Sequence, residues 1–166
     1  MLSRKVPSQK PPRPISFYVA VALLLGMSVV TQLQFPLSIQ CWGVSPDLVL
    51  VVVVAAGLLQ GSIVGAVVGF AGAYLLSSIG PFSPGSIFLS HIVVGYLAGL
   101  VVFRAYTDHP LVSAGAGFLG GVLAETIFYV LNPKDARVWL EGALVCGAYA
   151  FVLTPLAYFF LRRFVD

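Results

Sequence analysis

The chain has 166 residues, of which 59% are hydrophobic and only 9% are charged, and its formal net charge is +3. A soluble domain of this size could not bury so large an apolar fraction, so the composition indicates a membrane protein. The basic residues lie in tails and loops rather than along one face, which argues against nucleic acid as a partner.

The first two segments are a tail and a membrane span. Residues 1–14 carry four basic residues among serines and prolines, which predicts a disordered cytoplasmic tail. Residues 15–35 form an apolar run long enough to cross a hydrocarbon core about 30 Å thick. A signal peptide is the alternative, but no convincing cleavage site follows the run. We therefore predict a tail over 1–14 and a single transmembrane domain over 15–163.

The second and third spans are predicted over residues 47–59 and 63–79. They follow a proline-flanked link that contains Trp42, a residue type enriched at the membrane interface. A single helix over both spans would be far too long for one crossing. The polar step at residues 60–62 therefore predicts a tight hairpin, although the second span is short for a crossing.

Three further spans complete the predicted fold, and they cover residues 86–103, 111–131 and 138–161. The links between them contain the glycine, proline and polar residues that are typical of loops. Pro155 lies inside the last span, where a membrane helix tolerates it with a local kink. The predicted fold class is an all-α polytopic membrane protein with six transmembrane helices.

Glycine recurs at intervals of four residues within several of these spans. In a membrane such spacing lets two helix backbones approach closely, because lipid tails are as apolar as the helices themselves. The alternative is a glycine-rich helix with no particular neighbour. We predict helix packing at Gly57, Gly61, Gly65, Gly69, Gly95, Gly99, Gly117 and Gly121.

The distribution of basic residues predicts the orientation in the membrane. If the amino terminus is cytoplasmic, six spans place seven basic residues on the cytoplasmic side and only Lys134 and Arg137 on the other. Cytoplasmic segments of membrane proteins are enriched in lysine and arginine. We therefore predict a multi-pass membrane protein with both termini in the cytoplasm.

Ionisable residues inside the spans are the candidate functional residues. With a rise of 1.5 Å per residue, each lies within roughly 10 Å of the outer boundary, and carboxylates at such depth normally face a bundle interior, a partner or a cavity. Asp47 follows a proline at a helix start, where capping is an ordinary role. Glu141 is close enough to the interface to be solvated, and His91 could bond Glu125 or its own backbone. The predicted polar cluster comprises Asp47, His91, Glu125 and Glu141.

Sequence signatures of enzymes and metal sites are not found. There is no nucleophile-elbow pattern, no zinc-type histidine spacing and no phosphate-binding loop. Cys41 and Cys146 are too far apart in sequence for a metal motif. We therefore expect a non-enzymatic protein with no cofactor and no metal, although a titrating Glu125 leaves a proton-coupled carrier open.

Parts of the chain resemble the bacterial rod-shape-determining MreD family. The resemblance rests on Pro-Asp-Leu at 46–48, on Val-Gly-Ala-Val-Val-Gly-Phe-Ala-Gly at 64–72 and on Val-Gly-Tyr-Leu-Ala-Gly-Leu at 94–100. Many members of that family carry an aspartate near the end of the third span, where this chain has Ser77. The long basic tail also differs from a minimal member.

The resemblance implies a non-enzymatic membrane scaffold of the cell-elongation complex, or elongasome, that supports peptidoglycan synthesis and cell shape. Its implied partner is an MreC-like bitopic protein, and through it a RodA-like glycosyltransferase, a class B penicillin-binding transpeptidase and MreB filaments. A homodimer stays open. The implied fold is similar to that of the substrate-binding (S) subunit of energy-coupling-factor transporters, so a vitamin-binding subunit is the main alternative, followed by a proton-coupled small-solute carrier.

The orientation can be tested with reporter fusions. A reporter placed after Asp166 should be active only in its cytoplasmic form, and one inserted between residues 80 and 85 only in its exported form. Exported activity at the carboxyl terminus would require an odd number of crossings and would contradict the predicted outward position of the polar cluster.

Overall fold

The computed structural model describes residues 15–34, 46–79, 84–101, 109–133 and 135–165. The predicted tail over 1–14, the link that contains Cys41 and Trp42, and the loop residues 80–83 lie outside the described residues. Within the described part the chain folds into six α-helices, namely α1 (Ile15–Gln34), α2 (Leu48–Gln60), α3 (Ser62–Ile79), α4 (Pro84–Val101), α5 (Pro110–Leu131) and α6 (Ala136–Arg162).

The predicted all-α polytopic membrane fold is confirmed, and six helices match the six predicted segments within a few residues. Five of these helices are long and apolar enough to cross a membrane. The exception is α2, which has 13 residues and, at 1.5 Å per residue, is only about 20 Å long. The chain is therefore a multi-pass membrane protein with five long candidate spans and one short apolar helix.

Helix α2 is the centre of the bundle. Every residue from Val49 to Leu59 is buried, and α2 contacts each of the other five helices. A helix that is hydrophobic on all sides is stable only when it is surrounded by apolar material. Here that material is protein, so α2 does not need the length of a helix that spans lipid.

A one-residue turn reverses the chain between α2 and α3. Gly61 has φ of 95°, a conformation that side chains rarely adopt and that glycine tolerates. The two helices are antiparallel, since Gly57 lies against Gly65 and Val49 lies against Gly72. The hairpin predicted at residues 60–62 is confirmed. Val49 is near the start of α2, whereas Gly72 is well before the end of α3. Helix α2 therefore begins beside the middle of α3 and not beside its end.

Helices α2, α3 and α4 meet at three glycines. A methyl group added at Gly65 would collide with the carbonyl oxygen of Gly95, and one added at Gly57 would lie 2.8 Å from the same oxygen. Toward the ends of the helices, Gly69 lies against the carbonyl of His91 and Gly99 against the backbone of Ser62. Backbone fills the space that any other side chain would need.

A second glycine contact joins α5 to α6. Gly117 lies against Thr154 and the carbonyl of Ala150, and Gly121 has the backbone of Cys146 3.0 Å from the position of a methyl group. The structure thus places seven of the eight predicted packing glycines at helix contacts that exclude a side chain. Gly61 differs from that prediction, because a methyl group there would meet nothing within 4 Å and its role is the turn.

The outer surface of the bundle suits a lipid environment. Large apolar side chains are exposed on α1, α3, α4, α5 and α6, whereas α2, all of whose residues are described, contributes none. Bilayer hydrocarbon solvates such side chains directly, so contact with lipid accounts for most of the exposed apolar surface.

Gly65→Ala and Gly69→Ala should each destabilise the protein, because the colliding atoms belong to the backbone of α4 and cannot rotate away. Overpacking of this kind costs about 1–3 kcal/mol. Gly115→Ala is the matched control, since a methyl group there meets nothing within 4 Å. Thermal unfolding of the purified variants in detergent measures the difference, and equal stability of all three would contradict close backbone packing.

Candidate functional site

Four helices bring ionisable or thiol side chains to one level of the bundle. Asp47 precedes α2, His91 lies on α4, Glu125 on α5 and Cys146 on α6. We call these four residues the polar centre. The electrostatic neighbours of the Cys146 thiol are Asp47 and Glu125, and the thiol lies against the Asp47 backbone. The polar centre therefore connects the start of α2 to α4, α5 and α6.

Asp47 uses its two carboxylate oxygens for different contacts. Oδ1 accepts a hydrogen bond from the amide of Leu50 at 2.9 Å, so Asp47 is the N-cap of α2. Oδ2 lies 3.2 Å from Nε2 of His91. Because α2 begins inside the bundle, its first amides cannot reach bulk water, and a capping carboxylate supplies the acceptor that they need.

His91 is held from its other ring nitrogen. Nδ1 lies 3.0 Å from the carbonyl oxygen of Ile87 and 3.2 Å from the hydroxyl of Ser90, which itself donates to Ile87 at 3.0 Å. A carbonyl can only accept, so Nδ1 carries a proton. His91 is 1% exposed and Ser90 is fully buried. The contacts of His91 to its own backbone and to a hydroxyl neighbour match one of the roles that the sequence leaves open.

The protonation state decides whether His91 and Asp47 attract or repel each other. When Nδ1 of a neutral imidazole is protonated, Nε2 presents a lone pair. That lone pair would face a carboxylate oxygen 3.2 Å away, and two acceptors repel each other. A proton on either Nε2 or the Asp47 carboxyl would turn this repulsion into an attraction; Nε2 lies at ion-pair distance from Asp47 but forms no hydrogen bond within the described residues.

Glu125 and Glu141 occupy different environments. Glu125 is half-buried on α5, and its Oε2 lies 3.5 Å from the position of a methyl group at Gly142 of α6. Glu141 is exposed and forms an ion pair with Arg137 one turn earlier, with Nε and Oε1 3.0 Å apart. The structure thus brings Asp47 and His91 into contact and Glu125 close to them through Cys146, whereas Glu141 lies at the surface.

Several polar residues near the polar centre were not predicted from the sequence. Ser86 and Ser90 are buried on α4, and Asn132 donates from Nδ2 to Oγ of Ser86 at 2.6 Å. The spacing of Ser86 and Ser90 by four residues places them on the same face of α4. That spacing is a signal in the sequence, but serine is common in membrane helices and so carries little weight alone. Cys146 was interpreted only in relation to metal motifs.

The residues of the polar centre do not form a metal site. No group of three or more histidine, cysteine, aspartate or glutamate side chains in the described ranges has the arrangement to hold a metal ion. Since Asp47 already caps α2 and contacts His91, its carboxylate oxygens are committed to the protein itself. The arrangement fixes the start of α2 through the N-cap and places a histidine against the capping carboxylate.

Grooves on the bundle surface are apolar. One of about 210 Å³ lies between α4 and α5 and is lined by residues such as Val94, Val101 and Leu119. Another of about 210 Å³ lies between α1 and α6, with α2 as its floor, and includes Thr31 and Leu153. Neither contains a residue of the polar centre.

A known membrane family matches the chain over nearly its full length. The family 5TM-5TMR_LYT, described as the 5TMR of 5TMR-LYT, matches residues 2–155. The chain belongs to this five-transmembrane family. The five long helices of the structure agree with the five transmembrane segments in the name of the 5TM-5TMR_LYT family.

The family match does not name the MreD family, so it is less specific than the resemblance found in the sequence. Neither a curated protein nor a solved structure matches the chain. The matched residues 2–155 include helices α1 to α5, most of α6 and all four residues of the polar centre. The fold and the site therefore lie inside the matched region.

Asp47→Ala should destabilise the protein by about 3 kcal/mol or more, because it removes a cap and leaves His91 buried without its partner. Asp47→Asn should cost less than about 1 kcal/mol, since an amide can accept from Leu50 and donate to Nε2. Asp135→Ala is the control: Asp135 caps α6 by accepting from Arg137 at 3.0 Å, but it is exposed.

Thermal unfolding in lipid nanodiscs compares the three variants, and Asp135→Ala should lose only about 1 kcal/mol. Equal losses for Asp47→Ala and Asp135→Ala would show that the contact between Asp47 and His91 contributes nothing beyond an ordinary cap.

Proposed function

We propose that the chain is a non-enzymatic membrane scaffold subunit that assembles with another membrane protein, as the MreD-like motifs imply. The observation that carries this proposal is the polar centre, in which both carboxylate oxygens of Asp47 are engaged by Leu50 and His91. Polar side chains that face one another between helices hold the helices together and leave little room for a polar solute.

The family match supports a membrane-embedded role, and the motifs that resemble MreD lie in the helices that build the bundle centre. Residues 46–48 begin α2, residues 64–72 lie in α3 and residues 94–100 lie in α4. The α3 and α4 segments contain Gly65 and Gly95, whose backbones meet each other and Gly57 of α2. In the proposal, the motifs maintain a rigid bundle whose surface binds an MreC-like bitopic protein of the cell-elongation complex.

The grooves also favour a membrane partner over a polar solute. Those between α4 and α5 and between α1 and α6 are lined almost wholly by apolar side chains. An apolar helix or a lipid chain fits such grooves, whereas a vitamin or another polar solute would have few hydrogen-bonding groups to recognise.

A gentle-detergent purification from the native membrane, followed by mass spectrometry, tests the proposal. A scaffold should copurify with an MreC-like protein in a constant ratio. A small molecule bound tightly to the protein purified alone would support the vitamin-binding alternative, and solute uptake that collapses with the proton gradient would support a carrier. Either result, with no protein partner, would overturn the proposal.

Glu125 provides a residue-level test of the same proposal. Glu125→Gln preserves shape and hydrogen bonding, so copurification and cell shape should be retained. Glu125→Leu removes the polar group beside Gly142 and should reduce recovery of the partner severalfold. Glu141→Leu is the matched control, because Glu141 is exposed on α6. Loss of solute uptake in both Glu125 variants, with the complex intact, would contradict a structural role.

A further inference from the structure

The contact between Asp47 and His91 has the properties of a proton-binding site. Oδ2 lies 3.2 Å from Nε2, and a proton on either atom would make this contact attractive, because Nδ1 is already held by the carbonyl of Ile87. The Asp47 side chain keeps 19% of its area exposed, whereas His91 keeps 1%. Asp47 is therefore the more exposed member of the pair.

A row of polar groups also leads from the pair to one end of the bundle. Ser90 contacts Nδ1 of His91, Ser86 lies one turn earlier on the same face of α4, and Asn132 donates to Ser86. Asn132 is exposed at the end of α5. Polar groups thus lie on successive turns of α4 between Asn132 and His91.

We infer that Asp47 and His91 form a proton-binding site that exchanges its proton with the face of the membrane on which Asn132 lies, and that its protonation state controls how firmly α2 is held. In the state in which Asp47 and His91 attract each other, the pair holds one proton. It extends beyond the proposed scaffold function, because it makes the bundle responsive to pH whether or not a partner is bound.

The neighbouring charges come from α5 and α6. Cys146 of α6 has both Asp47 and Glu125 of α5 as electrostatic neighbours. The residues of α1 and α3 include no acidic, basic or histidine side chain. The pair is thus the place where a histidine and a carboxylate from different helices meet, with one further carboxylate close enough to influence it.

Within the described helices, the halves on the far side of the pair contain no aspartate, glutamate or histidine, and His109 and Arg162 lie at helix ends. The described helices therefore offer no second carboxylate or imidazole beyond the pair, which favours sensing of pH on one face over proton transport.

Changing the proton count in either direction removes the compensation. Loss of the proton leaves a partly buried carboxylate facing a lone pair, and gain of a second proton leaves a buried imidazolium facing a neutral carboxyl group. A buried charge without its partner is strongly destabilising. Stability should therefore pass through a maximum as pH varies, with α2 as the element that loosens on both sides.

The experiment follows the melting temperature of the full chain in lipid nanodiscs between pH 4 and pH 9. The melting temperature of wild type should pass through a maximum. On each side of that maximum it should fall by about 4 °C or more relative to the melting temperature of Asp47→Asn, which is the size of shift that the loss of a buried interaction causes in a chain of this length. Asp47→Asn and His91→Gln should both lack this component. Glu141→Gln and Glu125→Gln should retain it.

Infrared difference spectra provide a second readout that does not depend on unfolding. A carboxyl band that appears on acidification of wild type and disappears in Asp47→Asn supports the site. Ser86→Val should keep the same pH profile but slow the response to a pH jump. An Asp47→Asn profile identical to wild type would overturn the inference, as would loss of the profile in Glu125→Gln.

Discussion

Close backbone contact around α2 is the constraint on which the rest of the structure depends. Helices in lipid gain little from apolar burial alone, so association depends on packing distance and on polar contacts. Gly57, Gly65 and Gly95 allow three backbones to meet at one point. Since α2 contacts all five other helices, displacing it would separate most of the bundle.

The polar centre follows from the shortness of α2. A helix that begins inside the bundle leaves its first amides away from water, and Asp47 satisfies one of them at Leu50. A carboxylate at that depth needs a compensating group. His91 supplies it, and the carbonyl of Ile87 fixes the tautomer of His91. The packing of an apolar helix thus leads, through its amino terminus, to a site that holds a proton.

The sequence predicts depth along a helix better than it predicts neighbours. Hydropathy placed the six segments, the polar step at residues 60–62 placed the turn, and counting residues placed Asp47, His91 and Glu125 at one level. It could not show that His91 faces Asp47, because that depends on which helices are adjacent and how each is rotated. Glu141 shows the same limit, since rotation about α6 decides that it pairs with Arg137 at the surface.

Partner binding and proton binding would act on the same helix. Helix α1 packs on α2 and α3 and only lightly on α6, so the groove between α1 and α6 has α2 as its floor. A membrane partner in that groove would contact α2 along the segment that Asp47 caps. Binding that holds α2 in place would stabilise the pair of Asp47 and His91, and by linkage the protonation state of the pair would change the affinity for the partner by the same factor.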